Sequence, residues 1–153
     1  TPKSVINIST DLLEHMRTCS YVCDYRNMYN YGKIAYYFLN QKEAVEWSES
    51  DYMILFYYGI SLLHCDRKRG AIEIFRKIKN STPIGSNVNS MASCELYNNL
   101  YSLFQIDQLE GEILITLTEL ERKINCLKDE TDYFRRWRSR TGCGRSGKTD
   151  RTL

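Results

Sequence analysis

The sequence predicts an all-α chain: antiparallel helical hairpins stacked as a short right-handed solenoid, closed by a long C-terminal helix. Three observations carry that expectation. Gly59, Ala71, Phe75 and Pro83 fall at successive offsets of 12, 4 and 8. Two small residues suit the place where the helices of a hairpin cross closely, an aromatic fills the space beneath them, and a proline ends the unit because it cannot continue a helix. Prolines number only two in 153 residues, which leaves room for long helices. Ile113, Leu117, Leu120, Ile124 and Leu127 alternate by four and three residues, a heptad stripe on a helix.

Taken in order, the first hairpin covers about residues 9–40. Ser9-Thr10-Asp11 reads as an N-cap cluster, with a helix over 11–22 whose apolar side is Leu12, Leu13, Met16, Cys19 and Cys23. Asp24-Tyr25 turns, and a second helix carries Met28, Gly32, Ala35, Tyr36 and Leu39. Residues 40–50 connect, with a turn of helix around 44–47, and Ser48-Glu49-Ser50-Asp51 caps the next helix. The second hairpin, about 51–80, pairs helices over 51–64 and 67–79. The stretch Asn80 to Ser90, rich in Asn, Ser, Gly and Pro, reads as a loop. The third hairpin, about 91–128, has Leu96, Leu100, Leu103 and Phe104 at helical spacing, a turn at 106–108, and a last helix from Leu109. Residues 1–131 form the helical domain in this reading, and 132–153 a basic tail.

Bulk properties narrow the function. Hydrophobic and charged contents of 42% and 26% are those of a globular domain able to bury a core. The net charge is +2, but residues from Asp132 onward carry +5, which leaves a mildly acidic body. The longest apolar run, over 52–63, is too short to span a bilayer, so no membrane role is expected. Six cysteines form no CxxC pair; they read as reduced, small apolar residues of a protein inside the cell, cytoplasmic or nuclear. Cys19 and Cys23 share a helix face, but His15 and His64 complete no ligand pattern, and core packing is the better reading than zinc.

No catalytic constellation emerges, so the chain reads as a non-enzyme without cofactor or metal. Carboxylate pairs such as Glu119/Glu121 and Asp129/Glu130 lie on solvated helix faces. Gly142 to Thr149 fits G-x-x-x-x-G-K-T letter for letter, a pattern in which Lys148 and Thr149 would serve phosphate and magnesium. Its context argues against a nucleotide: charged residues 133–140 precede it where an apolar strand is needed, and four residues follow it. Tyr133, Phe134 and Trp137 among arginines would suit single-stranded nucleic acid, yet the body has no matching basic face. The alternative function, nucleotide or nucleic-acid binding through this tail, therefore ranks second.

The helix over 51–64 is the better clue. It is apolar on its hairpin side (Leu55, Tyr58, Gly59, Leu62) and on the opposite wall of Met53, Phe56, Ile60 and Leu63. A helix apolar all round must be buried all round. The cover could be the chain's own third hairpin and C-terminal helix, a second copy, or a partner's helix. The expected partner-binding residues are Met53, Phe56, Ile60 and Leu63, helped by Leu96, Leu100 and Phe104. Phe56→Glu with Ile60→Glu is then expected to abolish dimerisation while keeping helical content.

Residues 52–85 resemble a tetratricopeptide repeat, a unit about 34 residues long, with weaker likeness over 9–42 and 91–126. Met28 and Gly32 reverse the usual small-then-large order, and Ile115 replaces the aromatic. The chain is similar, more narrowly, to the N-terminal region of the repeat-containing scaffold subunits of the anaphase-promoting complex, a cell-cycle ubiquitin ligase. That likeness rests on the Leu12–Tyr25–Leu39 hairpin followed by the 52–83 unit. It implies a homodimer whose subunits wrap a helix in each other's groove, within a multi-subunit assembly. The repeat class also includes modules that grip carboxylate tails with Lys, Arg and Asn in this groove; Met53, Phe56, Ile60 and Leu63 cannot do so. The function expected from the sequence is a self-associating protein-interaction scaffold.

Overall fold

The computed structural model describes residues 2–141, and side chains over 10–43 and 45–140. Six α-helices follow one another: α1 (Pro2–Tyr21), α2 (Tyr25–Leu39), α3 (Glu49–His64), α4 (Lys68–Ser81), α5 (Asn87–Ser102) and α6 (Ile106–Thr141), with one 3-10 turn at Ala44–Glu46. No strand occurs among the described residues. The chain divides into two units, Thr1–Glu110 and Gly111–Leu153, each considered on its own.

In the first unit each helix packs on its nearest successors: α1 on α2 and α3, α2 on α3, α3 on α4 and α5, α4 on α5. The core follows from these pairings. Met16 of α1, Met28 of α2, Ile54 and Leu55 of α3, Phe75 and Ile78 of α4, and Leu96 and Leu100 of α5 are fully buried. At Gly59 the α3–α4 crossing is so close that a Cβ would stand 2.7 Å from Phe75 Cε1 and 3.2 Å from Ile74 Cγ2. Ala71 and Phe75 have no exposed surface, and Phe75 leans on Phe56 at 5.6 Å between ring centroids. Gly32 plays the same part between α2 and α3, where a Cβ would fall on the Tyr58 side chain. The reversed order at Met28 and Gly32 thus reflects which neighbour is approached: Gly32 yields to Tyr58 of the next helix.

Three turns share one geometry. Cys23, Asp66 and Phe104, the middle residues of the α1–α2, α3–α4 and α5–α6 turns, have φ of 58°, 58° and 55°. In each turn the next amide reaches back five residues: Asp24 N–H to Cys19 O at 2.8 Å, Arg67 to Leu62 at 2.8 Å, Gln105 to Leu100 at 3.0 Å. This is the left-handed helix stop that glycine usually fills, built three times without glycine.

Several boundaries differ from the sequence-based expectation. α1 passes through Ser9-Thr10-Asp11, so these are interior residues and not a cap; Pro2 sits at the first helical position, where its missing N–H is harmless. The expected cap of α3 forms as a full capping box between Ser48 and Asp51, with bonds of 3.2 and 2.9 Å. The loop expected over 80–90 is present but shorter, covering 82–86. α4 runs to Ser81 and α5 starts at Asn87, capped by Ser86 Oγ on Asn89 N–H. Asn89 Nδ2 donates to the carbonyls of Lys79 and Thr82, closing the end of α4. Thr82 and Ser86, at the two ends of that loop, are the caps of α4 and α5. α6 continues past Thr131 to Thr141, so Arg135 to Arg140 are helical; Arg138 and Arg140 lie in the last turn, where cations suit the helix dipole.

Candidate protein-interaction surfaces

The structure places the expected partner-binding residues in three different environments. Phe56, Leu96 and Leu100 belong to the core, with 6%, 0% and 0% of their surface exposed. They are not surface for a partner, and this corrects the reading of the α3 wall. A helix apolar all round does need cover, and α3 gets it inside the chain, because α1 and α5 pack on it as well as α2 and α4. Arg17 of α1 hydrogen-bonds Tyr57 of α3, which with its Glu14 bond (3.0 Å) raises the Arg17 pKa. Met53, Ile60 and Leu63 are half-buried at the margin of the same core. Phe104 is 85% exposed, held out by its left-handed turn. Pro83 is exposed just beyond the α4 cap at Thr82.

Exposed apolar surface concentrates elsewhere. In the second unit, the α6 stripe of Ile113, Leu117, Leu120, Ile124 and Leu127 is 40–62% exposed at every position. One heptad frame puts Leu117 and Ile124 at a, and Ile113, Leu120 and Leu127 at d. Between Leu117 and Leu127 the positions off the stripe are polar except Cys126, and they include the Glu119–Arg122 ion pair at 2.6 Å. That bond lowers the Glu119 pKa and raises that of Arg122.

In the first unit, a groove of 610 Å³ opens among α1, α2 and α3. Leu12, Ile34, Phe38, Leu39 and Ile54 line it, with Lys42 and Asp51 also on its wall. Asp51 Oδ2 accepts from Ser48 N–H and lies 3.8 Å from Lys42 Nζ, while Oδ1 has no hydrogen-bond partner among the described residues.

Reactive groups are sparse among the described residues. Cys19, Cys23, Cys65, Cys94 and Cys126 are free thiols. Cys19 is buried 3.7 Å from His15 Nε2; burial, then the charge of Asp24, raises its pKa. Cys23 is exposed in its turn, and no group of three or more His, Cys, Asp or Glu side chains is placed to hold a metal. His64 stacks on Tyr25, 3.6 Å between centroids and 6° between planes. No described helix is long and apolar enough to cross a membrane. The G-x-x-x-x-G-K-T segment, 142–149, lies outside the described residues.

The chain matches no family model, and neither a curated protein nor a solved structure is significantly similar to it.

Proposed function

We propose that this chain is a non-enzymatic protein-interaction scaffold, built of tetratricopeptide-like hairpins stacked as a short solenoid, that self-associates through α6. The observation that carries the reading is the α6 stripe: five large aliphatic residues in strict heptad spacing, all substantially exposed. Burying such a side chain from full exposure gains about 1.5–3 kcal/mol, so covering the 40–62% still exposed here gains roughly half of that each. A second copy supplies an identical stripe, and heptads are built to mesh with heptads. Two features support the solenoid. The same left-handed turn ends α1, α3 and α5, and within the first unit the helices pack on the next one or two in sequence, as in repeat proteins. Nothing observed favours the anaphase-promoting complex over other assemblies.

Leu117→Glu with Ile124→Glu tests this. Both residues are more than half exposed, so the double variant is expected to keep its helical circular dichroism. Light scattering should report a smaller mass than for the unaltered chain. Equal masses would count against self-association through α6.

A further inference from the structure

A second surface carries a separate inference, on the opposite chemistry. A groove of 710 Å³ in the first unit is lined by Tyr36 of α2, Tyr58 of α3 and the Asp66–Gly70 segment that opens α4. Arg67, Lys68 and Arg69 are consecutive at the N-terminal end of α4, with no side-chain cap there. Cations at a helix N-terminus oppose the dipole, so helix stability does not account for them.

Aromatic rings hold further cations around the same groove. Arg67 and Lys33 lie over Tyr29 at 5.2 and 4.8 Å from its centroid. Lys77 lies over Tyr36 at 5.3 Å and over Trp47 at 4.9 Å. Tyr58 sits between Tyr29 and Tyr36, at 6.1 and 5.6 Å. Arg67, Lys68 and Arg69 line the groove with the carboxylates Asp66 and Glu73; Lys77 stands over its Tyr36 wall and Lys33 shares the Tyr29 ring with Arg67, which makes five cations. None of the five cations forms an ion pair among the described side chains. Lys68 instead reaches Ser102 Oγ at 3.0 Å, and Lys77 reaches Asn40 Oδ1 at 3.1 Å.

We infer that this groove, bordered by cations held against Tyr29 and Tyr36, docks an acidic, Asp/Glu-rich segment of a partner protein. The ring-held cations are divided between two rings, Lys33 and Arg67 over Tyr29 and Lys77 over Tyr36, which fits charges spaced along a peptide better than a single phosphate. The ring faces of Tyr29 and Tyr36 are already taken by cations or by each other's neighbour Tyr58, so bases would find little to stack on. That favours a peptide over single-stranded nucleic acid, whose binding relies on open aromatic platforms. Cations pre-positioned over rings lose less freedom on binding than free ones.

The test uses the full chain and three fluorescent probes in low salt: a short Glu-rich peptide, its Lys-rich counterpart and oligothymidylate. Anisotropy should rise with the Glu-rich peptide alone and fall back as salt screens the pairing. Arg67→Glu with Lys33→Glu should weaken binding about tenfold or more. Arg69→Gln with Lys77→Gln, a milder pair, should weaken it several-fold and gives the reading if the first variant fails to fold. Leu117→Glu with Ile124→Glu should bind the peptide unchanged, so this inference and self-association through α6 can fail separately. No binding of the Glu-rich peptide, undiminished binding by the folded groove variants, or tighter binding of oligothymidylate would overturn it.

Discussion

Gly32→Ala tests the packing account most sharply, because the same substitution at Gly70 should have the opposite sign. Both residues are helical, and replacing a helical glycine by alanine gains up to about 1 kcal/mol from backbone entropy alone. At Gly70 the new methyl would sit 3.8 Å from Leu62 Cδ1, an ordinary contact, so most of that gain should survive. At Gly32 it would stand 2.9 Å from Tyr58 Cβ and Cγ, and nearer still to the ring. Tyr58 Cβ is fixed by the backbone, so no rotamer change clears it. α2 and α3 must move apart by roughly an ångström to restore carbon–carbon contact at about 3.5–4.0 Å. Overpacking of this kind costs about 1–3 kcal/mol. Gly32→Ala should therefore lower stability by up to about 2 kcal/mol, while Gly70→Ala raises it by up to about 1 kcal/mol. Urea denaturation followed by circular dichroism reads both as shifts of the midpoint at constant slope. Equal shifts of the same sign for the two variants would refute the close approach at Gly32.

Phe104→Gly should stabilise the chain by about 1 kcal/mol, since the ring is exposed and the backbone is left-handed; a lower urea midpoint would show that the ring contributes more than the turn costs. Phe56→Glu, one half of the Phe56→Glu/Ile60→Glu pair expected from sequence alone to break a dimer and spare the fold, should by itself cost about 4 kcal/mol or more, because it buries an unpaired charge against Phe75; unchanged helical content and midpoint would contradict the burial. Burial, then Tyr29 and Tyr36, hold the Tyr58 phenol above its ordinary pKa of 10.0, with Arg67 opposing. The neutral form is thus favoured in the folded state. Its stabilising share is complete below pH 10.0 and is lost as pH rises through the higher folded value. Alkaline titration of Tyr58→Phe should show a shallower loss of stability above that pH than the unaltered chain, and parallel curves would argue against it.

The hairpin built on Gly59, Ala71 and Phe75 was legible because its signal is local steric fit: residues of those sizes at those offsets match one close crossing. The likeness among the turns was hidden in the backbone. The turns after α1, α3 and α5 need a left-handed residue, for which glycine is the sequence signal, but Cys23, Asp66 and Phe104 stand there. Gly32 was visible yet misleading, since its counterpart Tyr58 lies 26 positions away in another helix. The loop signal at 80–90 found the 82–86 connection but ran too wide, because Ser and Asn favour caps for the same reason they favour turns: their side chains bond nearby backbone. Among the candidate surface residues, composition revealed that α3 needs cover but not what provides it. Phe56, Leu96 and Leu100 turned out to be the inside of one core, whereas the α6 stripe was read correctly as a heptad pattern without its exposure being foreseen. The cation-bordered groove was missed because Lys33, Arg67 and Lys77 are dispersed in sequence and assembled only by the packing of α2, α3 and α4.

Sedimentation equilibrium of the unaltered chain over a dilution series weighs the α6 stripe most directly. Self-association predicts twice the 18.0 kDa chain mass at the higher concentrations, falling toward 18.0 kDa on dilution. A mass of 18.0 kDa throughout the series would mean that the stripe does not pair with its own copy.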